Sequence, residues 1–353
     1  MSYKINFLSL QKKMWVNNLI VFLFCFAIIF GPAFALFDSY DYDTVANPDI
    51  GTYLGLAEFN FEQSITRKYR VIIPFLASGI NYTFGGLFNI LAPNTFPGPD
   101  FSMCFSFLIV NCIFMSIFGM LIYKLCKEFG ASLLPAIIGL LSVLTCRWTS
   151  YLAGTPMVDS LYLIIIAATI LGIKTKNSKL IILTIFIGPW AKESFIFIAP
   201  IIFFFSSINK WKQVLLFTIS ALIVFSFRYY LDMHSKPISG LGLDNAFNHM
   251  NNISISLKRL FSFHGVYEII SICGLWGILF IFLFKKSTRI LLKQKTTFYM
   301  VIFLFVVLIH ALLSVELARM FYIATPVIAI WFSLICENLI SSYMAKNKNY
   351  RLV

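Results

Sequence analysis

Residues 180–210 read LIILTIFIGPWAKESFIFIAPIIFFFSSINK, two apolar runs separated by the polar sequence GPWAKES. Lys179 and Lys210 flank the stretch, and because cytoplasmic loops collect Lys and Arg, both ends are predicted to lie on one side of a membrane. The first run has only about ten apolar residues, fewer than the roughly 20 that cross a bilayer. The stretch therefore predicts a helical membrane protein in which Lys192 and Glu193 turn inside a cavity, where protein or water satisfies the backbone.

Composition supports this interpretation along the whole chain. Of 353 residues, 59% are hydrophobic and 12% are charged, and the mean hydropathy is +0.84. A soluble domain carries about 25% charged residues, and no stretch here is long and polar enough to form one. We therefore expect one all-α transmembrane domain over residues 1–353. The net charge of +13 is expected to reflect basic cytoplasmic loops rather than nucleic-acid binding, because no nucleic-acid motif accompanies it.

Threading the apolar runs through a membrane predicts about ten crossings with both termini in the cytoplasm of a multi-pass cell (inner) membrane protein. The first run lacks a small-x-small cleavage site and is longer than a signal peptide's apolar core, so we interpret it as an uncleaved helix. The seven cysteines lie in or beside apolar runs without CxxC spacing, which predicts buried free thiols. The predicted crossings lie near residues 17–37, 102–125, 132–148, 158–174, 179–189, 194–208, 212–231, 265–284, 297–314 and 320–340.

Two outer loops are predicted, a long first one at 38–101 and a second at 232–264. The first contains RVIIPFLASGINYTFGGLFNILA, residues 70–92, which is nearly long enough to span. If this segment crossed the membrane, every later loop would change sides and most lysine clusters would lie outside, against the positive-inside tendency. Its glycines, Pro74 and Asn81 also make a poor lipid-facing helix. We therefore predict an interfacial or re-entrant helix on the outer face.

The same threading gathers most charged groups near the hydrocarbon region on the outer side. An ionised group near mid-bilayer costs about 2.5–3.5 kcal/mol, so such groups are usually paired, water-lining or functional. Together they suggest a hydrophilic cavity that opens outwards. Each also has a purely structural explanation: Asp159 as a helix cap, Lys192 with Glu193 as a loop ion pair, Glu316 with Arg319 as an i,i+3 pair, and Asp49 as a first-turn acid behind Asn47 and Pro48.

Two classes of protein use acids and bases on one face of a membrane domain. Transporters bind protons or cations with them, and enzymes act on lipid-linked substrates. Transporters usually carry internal repeats with interrupted segments in matching positions. No second copy of GPWAKES or of NPDIGTY is present in the chain, which favours an enzyme.

The order of these motifs resembles the GT-C superfamily of integral-membrane glycosyltransferases, of the dolichyl-phosphate-mannose protein mannosyltransferase or aminoarabinose transferase type. In that superfamily, two membrane-surface helices follow the first crossing. The acid, Tyr and small residue that open the first one are similar to Asp49, Tyr53 and Ala57, and the basic residue and proline of the second are similar to Arg70 and Pro74. The resemblance extends to the Lys192–Glu193 pair in AKESF and to Glu316, Arg319 and Pro326 near the last crossing.

The resemblance implies a GT-C-like fold and a polyprenyl-phosphate-linked sugar donor, with transfer to a glycan or lipid acceptor on the periplasmic or extracellular face. Ile50 stands where a second acid would follow Asp49, which leaves the use of a divalent cation open; no other cofactor is expected. A carboxylate at the water boundary suits a general base, and Arg suits phosphate oxygens. The expected roles are Asp49 as base, Arg70, Lys192 and Arg319 as phosphate contacts, and Tyr53, Asp159, Glu193 and Glu316 as groups that bind or orient donor or acceptor.

The second outer loop is the other polar segment of the chain. Its histidines lack metal-ligand spacing, so no metal site is expected there. Asp232, His249, Lys258 and Arg259 are candidates for an acceptor site or a mobile cover, although a solvated loop is the simpler interpretation. A polysaccharide polymerase or ligase and a membrane transporter or flippase remain alternative functions for the chain.

Overall fold

The computed structural model describes residues 2–42, 48–63, 67–93, 96–235, 243–314 and 316–350. In these ranges the chain is helical, with 84% helix and no strand. Three segments are 3₁₀-helical, at Glu193–Phe197, Gly274–Phe284 and Tyr322–Ala324. The α-helices are α1 Ser2–Ser39, α2 Pro48–Ala57, α3 Ile72–Leu91, α4 Phe101–Glu128, α5 Leu133–Leu144, α6 Arg147–Gly154, α7 Asp159–Lys174, α8 Ser178–Ala191, α9 Ala199–Phe205, α10 Lys210–His234, α11 Leu243–Leu260, α12 Phe263–Cys273, α13 Lys286–Lys295, α14 Phe298–Leu313, α15 Leu317–Phe321 and α16 Thr325–Tyr350.

The all-α membrane-protein class is confirmed, but the count of ten crossings is not. Five segments of the described chain are long and apolar enough to cross a membrane, and the number rises to seven if α5 with α6 and α13 with α14 each form one bent span. The predicted fifth and sixth crossings correspond to Ser178–Ala191 and Glu193–Phe205, which are shorter. The count of ten crossings therefore stays a prediction. The five spans are Val16–Ser39, Phe101–Glu128, Lys210–His234, Phe263–Phe284 and Leu317–Met344.

Helices differ sharply in how much of their surface faces other protein. Within an apolar stretch of 18 residues in each span, 67% of the residues are buried in Phe101–Glu128 and in Leu317–Met344, but only 17% in Val16–Ser39 and in Lys210–His234. Helix α7 is almost completely buried and packs against α4 and α8. The centre of the protein is therefore built from α4, α7 and α16, and the outer helices expose the apolar surface that lipid would cover.

The segment 38–101, which the sequence predicts as a first outer loop, contains two helices. The longer one, α3, packs against α4, and it is not among the five segments that meet the length and hydropathy requirements for a span. The shorter one, α2, begins at Pro48; the expected cap at Asn47 lies outside the described residues. These two helices bring the acid at position 49 and the cations at 67–70 next to the central helices.

Helix α2 ends in a Schellman motif with an unusual residue. The Asn60 N–H donates to the Gly55 carbonyl at 2.9 Å, and the Phe59 N–H donates to the Leu56 carbonyl at 3.1 Å. Phe59 has φ +60°, the left-handed conformation that glycine usually supplies in this motif. A side chain in that conformation costs about 1–2 kcal/mol, so Phe59 is held there at some expense in stability.

All seven cysteines are free and buried. They are distributed over α1, α4, α12, α16 and the link between α5 and α6, at positions 25, 104, 112, 126, 146, 273 and 336. The prediction of buried free thiols is confirmed.

Candidate active site

Arg319 is the centre of an ion network. It lies in the short helix α15, is 8% exposed, and contacts three carboxylates, two of which come from distant parts of the chain. Its Nη1 donates to Asp49 Oδ2 at 3.0 Å and to Glu316 Oε2 at 2.8 Å, and its Nη2 donates to Asp159 Oδ2 at 2.5 Å. The i,i+3 pair expected from the sequence is therefore present, and Arg319 also connects the last helices to α2 and α7.

Asp159 and Lys192 form the most deeply buried pair of the network. The Lys192 Nζ lies 2.8 Å from Asp159 Oδ1, and both residues are buried. Asp159 is the first residue of α7 but makes no capping hydrogen bond with its side chain, so the alternative of a simple helix cap is wrong. Burial lowers the pKa of Lys192, and the facing Asp159 carboxylate opposes part of that effect.

The local backbone explains how Lys192 reaches this position. Helix α8 includes Pro189 and ends at Ala191, and Lys192 has extended backbone angles of φ −165° and ψ 142° before the 3₁₀ helix begins at Glu193. The break turns Lys192 towards Asp159 and Glu193 towards Arg70. The two neighbours therefore belong to separate pairs and do not form the loop ion pair considered from the sequence.

Arg70 joins Glu193 to the first outer loop. Its Nη2 and Nε lie 2.7 and 3.0 Å from Glu193 Oε2, and its Nη1 donates to the Tyr53 hydroxyl at 2.8 Å. Burial raises the pKa of Tyr53 to about 12, so the hydroxyl stays protonated near neutral pH. Burial alone would lower the pKa of Arg70, but Tyr53 and Glu193 outweigh it and raise the value. Arg70 is therefore a fixed cation.

Sequence reasoning missed three residues of the segment 67–70, which reads RKYR. Arg67 contacts Asp49 through its Nε, and Lys68, which is 0% exposed, lies 2.5 Å from Asp232 Oδ1. Tyr69 donates to the same Asp232 carboxylate at 2.9 Å. The signal was present in the sequence, because three cations in four residues are unusual on a face that is otherwise poor in Lys and Arg.

Arg228 of α10 closes the network on the side of the RKYR segment. Its guanidinium lies 4.6 Å from the centre of the Tyr69 ring, and its Nη2 is 3.8 Å from Glu193 Oε1. The sequence analysis also missed Arg228. Counting charges along the sequence places Arg228 near the end of a helix but does not indicate which residue it contacts. Through it, the cluster at Asp232 and the cluster at Glu193 become one connected set.

The structure brings all eight sequence-predicted site residues into one region, in two groups of direct contacts around Arg319 and around Arg70 that the adjacent residues Arg67–Lys68 and Lys192–Glu193 join. Each makes at least one direct contact inside it, and their partners come from α2, α7, α15 and the loops at 67–70 and 192–193. Cations exceed carboxylates by one among the described members. The cations are Arg67, Lys68, Arg70, Lys192, Arg228 and Arg319, and the carboxylates are Asp49, Asp159, Glu193, Asp232 and Glu316.

The second outer loop differs from the solvated loop that the sequence suggested. Much of it forms helix α11, whose Ser256 hydroxyl donates to the Ser314 carbonyl at 2.8 Å and which packs against α14. Arg259 contacts Glu268. The His249 side chain lies outside the described residues. Among the described residues, no group of three or more His, Cys, Asp or Glu side chains is arranged to hold a metal ion.

Two cavities lie beside the network. One of about 440 Å³ lies between α1 and α6 and includes Tyr151, which is within electrostatic range of Arg319 and Glu316. The other, of about 310 Å³, includes Ser235, whose hydroxyl faces the Lys68 ammonium at 3.5 Å. The expected cavity around Lys192 is neither of these, because protein encloses Lys192 and Asp159.

The chemistry of the network follows from its composition. Paired guanidinium groups favour phosphate or carboxylate oxygens, and a carboxylate next to them can accept a proton from a hydroxyl. Arg319 Nε is buried and has no hydrogen-bond partner among the described residues. Comparison of the chain with protein-family models, with curated proteins and with solved structures found no match.

Proposed function

We propose that the protein is a glycosyltransferase that moves a sugar from a polyprenyl-phosphate donor to a lipid-linked or cell-envelope acceptor. The observation that supports this most is the convergence of Arg70, Lys192 and Arg319 with Asp49 in one partly buried region that has more cations than carboxylates. A lipid-linked phosphate is the kind of anion that such a network would attract from a membrane.

The proposed reaction is an inverting transfer. The acceptor oxygen forms a bond to the anomeric carbon of the sugar from the face opposite the phosphate, and the bond between that carbon and the phosphate oxygen breaks. The electron pair leaves with the polyprenyl phosphate, whose charge the guanidinium groups of Arg70 and Arg319 and the ammonium of Lys192 would stabilise. The acceptor proton moves to Asp49.

Asp49 would need a partial release from its present partners to serve as the base. Its two carboxylate oxygens contact Arg67 and Arg319. A donor phosphate that binds Arg319 would compete for that guanidinium and leave Asp49 free to accept a proton. Tyr53, Asp159, Glu193 and Glu316 would then hold the cations and the substrate in place.

The proposal places the site on the periplasmic or extracellular face of the cell (inner) membrane, with both termini in the cytoplasm. The partners are the polyprenyl-phosphate-linked donor, the bilayer and a glycan or lipid acceptor. No resident cofactor is included, and a divalent cation remains a condition to vary in the assay.

The test is incubation of the purified protein with a panel of polyprenyl-phosphate sugars, with and without Mg²⁺, and mass detection of the released polyprenyl phosphate. We expect release from at least one donor. Asp49→Asn should abolish release while donor binding persists, and Asp38→Asn, an exposed acid at the end of α1, should keep full turnover. Full turnover by Asp49→Asn would exclude Asp49 as the base.

Release from no donor would favour a transporter or flippase. That alternative predicts movement of a fluorescent polyprenyl lipid across a vesicle membrane, and it predicts that Asp49→Asn is tolerated. A polymerase or ligase would instead give products that differ by whole glycan repeats in the same mass spectra.

A further inference from the structure

The smaller cavity is formed by two parts of the chain that are far apart in sequence. One wall is the segment 59–62, directly after α2, and the other is the last turn of α10. Its volume of about 310 Å³ is near the lower end of the ~300–1,000 Å³ that small-molecule sites occupy. The lining residues are Phe59, Asn60, Phe61, Glu62, Tyr230, Leu231, His234 and Ser235.

The lining combines aromatic rings with uncharged and acidic hydrogen-bonding groups. Phe59, Phe61 and Tyr230 offer ring surfaces, and Asn60 and His234 offer groups that can donate or accept hydrogen bonds. A sugar ring has the matching features, because its C–H faces pack on aromatic rings and its hydroxyls need polar partners. The cavity walls are therefore complementary to a carbohydrate.

The charges around the cavity favour a neutral sugar over an anionic one. Glu62 lies in the wall. The nearest buried cation is Lys68, whose ammonium faces Ser235 at 3.5 Å but is neutralised by Asp232 at 2.5 Å. An anionic ligand would meet the Glu62 carboxylate without a free cation in the lining to balance it.

The backbone at Phe59 is a separate observation at the same wall. A glycine at this position would adopt φ +60° without cost, yet a phenylalanine stands there with its ring 60% exposed. Its contact with the Phe75 ring, at 5.3 Å between centroids, covers only part of that ring. Strained residues persist where the surrounding structure holds them and are frequent at ligand sites.

We infer that this cavity binds a neutral sugar residue of the acceptor. The assignment of that sugar to the acceptor rests on the proposed function; the binding of a neutral sugar does not. The connection to the ion network is short, because Lys68 faces the cavity wall while its neighbour Arg67 contacts Asp49. A sugar held at this cavity therefore lies beyond the C-terminal end of α2, the helix whose first turn carries the proposed base.

The direct test is saturation-transfer-difference NMR on the full chain in lipid nanodiscs, which avoids glycoside detergents. The probes are the methyl glycosides of glucose, galactose, mannose and N-acetylglucosamine, with methyl glucuronide and glucose 6-phosphate as anionic counterparts. We expect a signal from at least one neutral glycoside. The signals from methyl glucuronide and glucose 6-phosphate should be at least tenfold weaker than that signal. If no neutral glycoside gives a signal, or if an anionic sugar gives a stronger signal than the neutral glycosides do, the inference is overturned.

Two variants and a matched control locate the binding. Phe59→Gly removes a ring but supplies the residue that the left-handed backbone prefers, so the fold is retained, and Tyr230→Ala removes a ring from α10. Tyr229→Ala is the control, because Tyr229 is a neighbour of similar exposure, 67% against 59%, that does not line the cavity. We expect about tenfold weaker binding in the two variants and none of that loss in the control. Equal binding by all three variants would overturn the location.

The transfer assay separates this inference from the proposed function. If the cavity binds a neutral glycoside in NMR but no donor releases polyprenyl phosphate, the glycosyltransferase proposal fails and the sugar site stands. If transfer occurs, Phe59→Gly and Tyr230→Ala should raise the acceptor KM about tenfold with little change in kcat and in donor binding. An unchanged acceptor KM in both variants would overturn the acceptor assignment.

Discussion

Replacement of Arg319 by glutamine is the sharpest test of the ion network. Glutamine has a similar helix propensity and can still hydrogen-bond, so the change mainly removes a charge. The charge lies 2.5 Å from Asp159, 3.0 Å from Asp49 and 2.8 Å from Glu316, at a residue that is 8% exposed. Removing one partner of a buried pair costs about 3–5 kcal/mol, because the remaining charge loses its compensation.

The structure places the expected cost at the lower end of that range. After Arg319→Gln, Asp159 keeps Lys192 and Asp49 keeps Arg67. We therefore expect a loss of about 3 kcal/mol in the free energy of unfolding. Glu316→Gln should cost about 0–1 kcal/mol, since the Glu316 side chain is 58% exposed and its one ion pair with a described residue is the pair with Arg319.

The assay is equilibrium unfolding in mixed micelles with increasing SDS, followed by tryptophan fluorescence. Arg289→Gln is the control, because Arg289 is exposed on α13 and has no ion pair among the described residues. The double variant Arg319→Gln with Asp159→Asn should lose less stability than the sum of the single losses, since these residues interact directly. If Arg319→Gln is no less stable than Arg289→Gln, the network does not stabilise the fold as described. The same conclusion follows if the stability losses of Arg319→Gln and Asp159→Asn simply add in the double variant.

Two further predictions concern packing and pH. A Cβ at Gly154 would lie 2.5 Å from the Ala33 carbonyl oxygen, so Gly154→Ala should cost about 1–3 kcal/mol in the same unfolding assay. Gly31→Ala, which has no neighbour within 4 Å, should instead stabilise α1 by up to about 1 kcal/mol; equal effects would contradict the close approach of α1 and α6. Because burial lowers the pKa of Lys192, the folded chain binds fewer protons than the unfolded chain between that lowered pKa and the ordinary value of 10.5. The free energy of unfolding should therefore rise with pH through this window more steeply in the wild type than in Lys192→Gln. If the two proteins have the same pH dependence, Lys192 does not titrate as a buried group.

The side of the membrane on which each charged group lies stays a prediction from the sequence, and the sequence could not predict the contacts between these groups. Counting lysines assigned Asp49, Asp159 and Arg319 to one face. This is possible from sequence because the excess of Lys and Arg on the cytoplasmic side is a property of whole loops. The contact between Arg319 and Asp159 joins residues 160 positions apart and depends on how α7 and α15 pack. Local spacing identified only the pair formed by Glu316 and Arg319.

The differences between the prediction and the structure have equally physical origins. The prediction of ten crossings treated each apolar run as a span, whereas α8 and the segment Glu193–Phe205 are too short and two helix pairs are bent by 60° and 95°. Arg67, Lys68 and Tyr69 were missed because charge counting treats outer cations as background. The available clue was the presence of three cations within the four residues 67–70. The partners of the missed residues, Asp49 and Asp232, come from separate elements.

The buried cysteines have a practical consequence for experiments on this protein. A thiol that protein covers reacts with a maleimide only when the surrounding helices separate. Cys25 lies in α1 and Cys273 at the end of α12, whereas Cys112 lies in the middle of the central helix α4. Pulse labelling of the unmodified chain followed by peptide mass spectrometry would therefore record the order in which the peripheral and central helices part, without an introduced reporter.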